Sequence, residues 1–239
     1  SARILKRDCL DLPDKIYMTR TVELSDEQVS VYNQMKELAL AQVQSGELAT
    51  TASILTQLMR LQQIVCGHLR TDDGEIRELK NSRLSALMEI LEEVQGKAII
   101  WATWTHDIQA IAAALRDRFG EESVATYYGE TPQEDRQEIV NRFQQEDSDL
   151  RFFVGQPKTG GYGITLTAAD TMVYYSNSYD LEVRLQSEDR AHRIGQTKSV
   201  TYIDLVSPNT SDQKILEALR SKINIASTVL NEDFGDWLL

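Results

Sequence analysis

At 239 residues, 41% hydrophobic and 26% charged, the chain can bury a sizeable core and has the composition of a globular protein, which excludes fibrous and low-complexity classes. No apolar run approaches the roughly 20 residues of a membrane span, so no membrane partner is expected. A net charge of −12 argues against a general nucleic-acid-coating protein.

The acidity is uneven. Residues 121–150 carry nine acids against Arg136 and Arg142, whereas residues 151–200 carry six bases against five acids. Cys9 and Cys66 lie far apart, and Cys66-Gly67-His68 finds no second pair to complete a metal site. With no signal-like stretch, the chain reads as a reduced, cytoplasmic protein that binds no metal of its own.

In chain order, residues 1–24 alternate around Leu12-Pro13 and read as an extended segment. Ser25-Asp26-Glu27-Gln28 has the form of a capping box and opens a helix carrying Val29, Tyr32, Met35, Leu38 and Val43. A second amphipathic run, Ile54 to Val65, is closed by Gly67 and then Asp72-Asp73-Gly74, and the two helices are expected to pair antiparallel. From residue 82 the pattern becomes helices alternating with short apolar strands. Helices are predicted around 84–94, 108–115, 133–143 and 181–193, and strands at 98–102, 124–127, 152–154, 172–175 and 200–206. Thr131-Pro132-Gln133-Glu134 reads as a capping box with proline at the first helical position. A last helix is expected from a Ser211 cap through Leu230. Strands separated by helices predict an α/β fold with a doubly wound, mainly parallel sheet.

Three features carry chemistry. Lys158-Thr159-Gly160-Gly161-Tyr162-Gly163 follows a strand, where an open α/β sheet places its ligands, and such glycines let backbone N–H groups approach phosphate. The same loop could be a tight turn and no more. The chain holds no Gly-Lys-Ser or Gly-Lys-Thr, and no strand ends in an Asp-Glu pair, so the usual means of binding ATP and magnesium are missing. In Gln186-Ser187-Glu188-Asp189-Arg190-Ala191-His192-Arg193-Ile194-Gly195-Gln196, a continuing helix would point Arg190 and Arg193 the same way. Two guanidinium forks can grip a transferring phosphoryl group; equally, they could belong to a solvated face paired with Glu188 and Asp189.

The last segment resembles motif VI of the Swi/Snf-type ATPases of helicase superfamily two. The Gly-rich loop with Leu166-Thr167-Ala168-Ala169 resembles motif V, and Ile99-Ile100-Trp101-Ala102-Thr103-Trp104 resembles motif IV. Tyr128-Gly129 with Arg136 and Phe143 resembles the next conserved block, and Leu12-Pro13-Asp14-Lys15-Ile16 and Leu61-Gln62-Gln63-Ile64 match the lead-in and helical protrusion. The resemblance implies a RecA-like second lobe over 81–206, after a lead-in (1–24) and a protrusion (25–80) and before a brace helix (207–239). It also implies a first lobe elsewhere in a longer parent, which binds most of ATP and Mg.

By the same resemblance Arg190 and Arg193 are catalytic arginine fingers. Gln186, Asp189, Gly161 and Gly163 support the ATP cleft, and Lys158, Thr159, Thr103, Trp104, Tyr128 and Gly129 face double-stranded DNA without reading its sequence. Amides near Thr105 and Thr131 join that track, Trp104 either packs or stacks, and His106 and His192 are structural. The expected protein is a monomeric DNA translocase. Rival readings are a non-catalytic relic that binds DNA or protein, and an RNA helicase lobe, which Asp189-Arg190 and Gly195-Gln196 disfavour. Gln156-Pro157, Thr165 and Tyr179-Asp180-Leu181 depart from the family pattern and suggest a bacterial or phage-type member.

Overall fold

Alternation in the strands builds two cores. The computed structural model describes residues 12–45, 51–71, 73–159 and 163–230, with side chains over 12–42, 55–71, 73–159 and 163–222. The elements in chain order are β1 (Lys15–Thr21), α1 (Asp26–Ser45), α2 (Thr51–Cys66), β2 (His68–Arg70), β3 (Ile76–Glu78), α3 (Arg83–Glu93), β4 (Lys97–Trp101), α4 (Thr105–Phe119), β5 (Val124–Tyr127), α5 (Gln133–Gln144), β6 (Phe152–Gly155), β7 (Ala169–Tyr174), α6 (Leu181–Glu188), β8 (Val200–Val206) and α7 (Ser211–Leu230).

Six strands form one sheet in the order β1-β8-β7-β4-β6-β5, with every pair parallel. Along β4, Ala98 and Ile100 face one core with Leu87 and Leu91 of α3 and Ile108, Ile111 and Leu115 of α4. Ile99 and Trp101 face the other, with Val140 and Phe143 of α5, Phe153, Met172, Tyr174 and Tyr202. Successive side chains point to opposite faces, so a sheet covered on both sides needs apolar residues at every position of its central strands. The result is the doubly wound, parallel α/β fold that the pattern implied, in the three-layer, RecA-like form that the resemblance implied.

The remaining residues before α3 have a core of their own, Tyr32, Leu61, Ile64, Val65 and Leu79. The Ser25 capping box is formed reciprocally: Gln28 N–H donates to Ser25 Oγ (3.2 Å) and Ser25 N–H to Gln28 Oε1 (3.1 Å). The buried Gln28 amide then donates to the Ile64 and Val65 carbonyls at 2.8 and 3.1 Å, so one side chain starts α1 and caps the end of α2, fixing the pair antiparallel.

The extended lead-in is an edge strand, β1, parallel to β8 over Lys15–Thr21, and residues 1–11 lie outside the described residues. Three local expectations need correction. Asp73-Gly74 (Asp72 lies outside the described residues) does not end a helix. Gly67 (φ 92°) does so, and Gly74 (φ 85°) turns the β2–β3 hairpin. Thr131 caps nothing, because its hydroxyl turns back to accept from Tyr128 N–H (3.0 Å) and donate to the Thr126 carbonyl (3.1 Å). At the last helix the cap is Thr210, whose Oγ1 accepts from Asp212 N–H at 3.2 Å.

Candidate functional site

Motif VI leaves the helix before its arginines. Asp180, one of the departures from the family pattern, caps α6 through Val183 N–H at 3.2 Å. The helix stops at Glu188, and the chain continues in tight turns: Arg190 N–H reaches the Ser187 carbonyl (3.2 Å) and Arg193 N–H the Ala191 carbonyl (3.2 Å). The expected helix over 181–193 is therefore too long, and helical spacing is not what orients Arg190 and Arg193. Tertiary hydrogen bonds replace it. The Arg190 carbonyl accepts from Leu166 N–H at 2.9 Å, and Gln196 Nε2 donates to the carbonyls of Thr167 (3.1 Å), Ala169 (2.9 Å) and Ala191 (3.3 Å). Gln196 Oε1 also accepts from Thr197 and Lys198 N–H, at 3.0 and 2.9 Å. Gly195, at φ 101°, makes the turn that returns Gln196 to these partners.

This bracing brings Gln186, Asp189, Arg190 and Arg193 around one open cleft of about 390 Å³, with Gly163, Leu12 and Ile194 completing its wall. Gly163 is in the left-handed region at φ 65°, and Gly161 lies outside the described residues. Arg190 is buried to 8% exposure and its Nε has no hydrogen-bond partner among the described residues. Burial first, and then the neighbouring Arg193, lowers the pKa of the Arg190 guanidinium, while Asp189 pulls the other way. An arginine remains charged through such a shift. Neither Arg190 nor Arg193 makes an ion pair with a described residue. A pair of cations held together at a cleft with unspent donors suits a multiply charged anion. Gln186 donates to Glu182 at 2.8 Å along the outside of α6.

A second group of residues gathers elsewhere, at the carboxyl ends of β4, β5 and β6. Gln156 ties these ends together: its N–H donates to the Tyr127 carbonyl (3.1 Å) and its Nε2 to the Thr103 carbonyl (3.2 Å). Its Oε1 accepts from the Thr159 hydroxyl (3.3 Å) and its carbonyl from Thr159 N–H (3.1 Å). Thr103 N–H donates to Ser176 Oγ (2.9 Å), bringing in the end of β7. Gly155 permits this closeness, since a Cβ there would stand 2.5 Å from the Tyr127 carbonyl oxygen.

Lys158 and Gly129 are exposed at this rim, Thr159 and Tyr128 half-buried. The Tyr128 hydroxyl donates to Glu130 at 3.3 Å. Trp104 precedes α4 with its ring edge-on to buried His68 (centroids 6.2 Å) and its Nε1 buried, which favours packing over stacking on a base. His106 lies against His68 at 4.8 Å, and His192 Nε2 is 2.7 Å from the Pro13 carbonyl oxygen. Among the described residues there is no metal-type cluster and no helix long and apolar enough to cross a membrane.

Residues 80–195 match the helicase conserved C-terminal domain. The Sulfolobus solfataricus SWI2/SNF2 ATPase core, solved in complex with dsDNA, superposes with a TM-score of 0.71 at 27% identity, covering 98% of this chain and 50% of that one. The chain carries a Swi/Snf-type helicase C-terminal domain. The uncharacterized ATP-dependent helicase MG018 of Mycoplasma genitalium is 26% identical over 226 residues, 93% of this chain and 21% of that protein. The SWI/SNF chromatin-remodeling complex subunit snf22 of Schizosaccharomyces pombe is 27% identical over 244 residues, 95% of this chain and 14% of that protein. The chain thus spans about a fifth or less of the length of these relatives.

Within this Swi/Snf-type domain, the sequence pattern did not single out three polar residues that organise the two regions. Gln156 stood out only as a departure from the family, yet it joins three strand ends. Gln196 was visible as a motif letter without a task. Glu188 was read only as a neutralising neighbour, although it is fully buried, and its partners Lys15 and Tyr17 lie 173 and 171 residues away in sequence.

Proposed function

We propose that this domain is the second motor lobe of an ATP-dependent translocase on double-stranded DNA. The observation that carries the reading is the convergence of Arg190 and Arg193 at one cleft with no described carboxylate bonded to either, one of them buried with an unpartnered Nε. Arg190 and Arg193 act as fingers on an ATP whose phosphates and Mg are held by a first lobe of the parent chain. Gly163, Gln186 and Asp189 shape the wall that the nucleotide meets.

The rim of Thr103, Tyr128, Gly129, Lys158 and Thr159 forms half of a DNA backbone track. Its chemistry is a cation, hydroxyls and main-chain N–H groups, including those at the first turns of α4 and α5, which suit phosphate oxygens and carry no base code. In this reading residues 25–80 are the protrusion, 81–206 the lobe and 207–239 the brace, and the protein acts as a monomer.

The test is Arg193→Ala in the two-lobe parent, measured as DNA-stimulated turnover at saturating ATP. A finger meets its phosphoryl oxygens chiefly in the transition state, so the expected loss is about 10³-fold or more with ATP and DNA binding retained. A loss smaller than about tenfold would assign Arg193 to the domain surface and overturn the reading.

A further inference from the structure

We infer that Glu188 is a positioning residue for Arg190 and Arg193, and that strand β1 sets its place through Lys15 and Tyr17. The inference rests on the proposed role of the arginines. Glu188 is the last residue of α6 and is 0% exposed. Its Oε1 accepts from Arg184 Nε at 2.8 Å, on its own helix. Its Oε2 accepts from Lys15 Nζ at 3.1 Å and from the Tyr17 hydroxyl at 2.8 Å, both on β1. Burial first, and then the charge of Glu188, raises the Tyr17 pKa, so the phenol stays protonated and remains a donor.

The main chain of Glu188 completes the connection. Its carbonyl accepts from Ala191 N–H (3.2 Å), His192 N–H (3.1 Å) and the Tyr202 hydroxyl (3.3 Å). Ala191 and His192 are the two residues between the arginines. The lead-in touches the same turn again where the Pro13 carbonyl meets His192 Nε2 at 2.7 Å. Because the helix has already ended, these bonds take over the role that helical geometry would have had in fixing the turn.

Charge balance gives the arrangement its sense. Arg184 also engages Asp204 through both terminal nitrogens, so Arg184 and Lys15 together match Asp204 and Glu188. With that account closed, Glu188 has no need of Arg190 two residues on, and the arginines stay available to an anion. Without Lys15, a buried carboxylate lacks one counter-ion and competes for the nearest guanidinium.

The experiment uses the two-lobe parent with Lys15→Met, Tyr17→Phe and the double variant, Lys15→Arg as the conservative control, and Arg193→Ala alongside. Tyr17→Phe keeps the ring that stacks on Tyr202 at 5.0 Å, which preserves packing while removing the donor. Glu188→Gln is a further variant, with circular dichroism to establish folding. The expected result is a roughly tenfold to hundredfold fall in kcat for the double variant, assayed well below its lowered melting temperature, with KM for ATP little changed and with activity restored in Lys15→Arg. Turnover unchanged in the double variant, while Arg193→Ala is inactive, overturns the inference and leaves the proposed function standing. Turnover that returns to wild type when assayed well below the melting temperature of the variant overturns it too. An active Arg193→Ala instead removes the reading of the arginines on which it rests.

Discussion

At the scale of single residues, the chemistry of the cleft depends on guanidinium geometry as well as charge. Arg193 stands at the edge of the cleft beside buried Arg190, and two planar forks can present parallel N–H groups to adjacent phosphoryl oxygens. An ammonium offers a point charge on a flexible stem and cannot reproduce that arrangement. Arg193→Lys in the two-lobe parent is therefore expected to lose most of what Arg193→Ala loses, about 10²-fold or more in turnover. Single-turnover hydrolysis at saturating ATP measures this; retention of at least half the wild-type rate would show that charge alone suffices.

At the scale of elements, the small helical core is joined to its neighbours by polar side chains that each satisfy several main-chain groups. Gln28 takes part in the start of α1 and the end of α2 with four hydrogen bonds. Gln28→Ala would strip the Val65 carbonyl of its side-chain donor in a buried place and leave the Ile64 carbonyl with Gly67 N–H alone, a cost of about 1–3 kcal/mol. Urea unfolding of the domain should show it as a lower midpoint with an unchanged slope, and a midpoint equal to wild type would disprove the double capping role. The same elements show what a sequence discloses. The strands at 124–127 and 200–206 were legible to the residue because their apolar runs are bounded by turn residues. The Ser25 box was legible because both partners lie three residues apart. The end of α6 was not, since Arg190 gives its carbonyl to Leu166, 24 positions away, and no local signal announces it. Thr131 misled for the opposite reason: a correct capping residue found a better local partner in Thr126. In the candidate site, the arginines were visible from their motif, while Glu188 and Gln156 became meaningful only once distant strands were brought beside them.

At the scale of the whole molecule, the proposed function divides the working residues between a cleft and a rim and has a first lobe complete both. The sequence has no phosphate-cradling Gly-Lys-Ser or Gly-Lys-Thr loop, so the isolated chain is expected to show no ATPase activity and an ATP dissociation constant weaker than micromolar. Its DNA binding should be weak, indifferent to sequence and steeply reduced by salt, given a net charge of −12 and few local cations. Calorimetric titration with ATP and a salt series with unrelated duplexes test both parts; micromolar ATP binding or a preferred DNA sequence would contradict them.

The position of β1 at the end of the strand order has a further consequence for solubility. Among the described residues no strand pairs with its outer side, and Ile16 and Met18 are 46% and 53% exposed there. An open edge of this kind is a template on which a second copy could lay down a seventh strand. Arg20, near the end of the strand, sets a solvent-exposed charged pair with Glu89 beside that edge, which an incoming copy would have to accommodate.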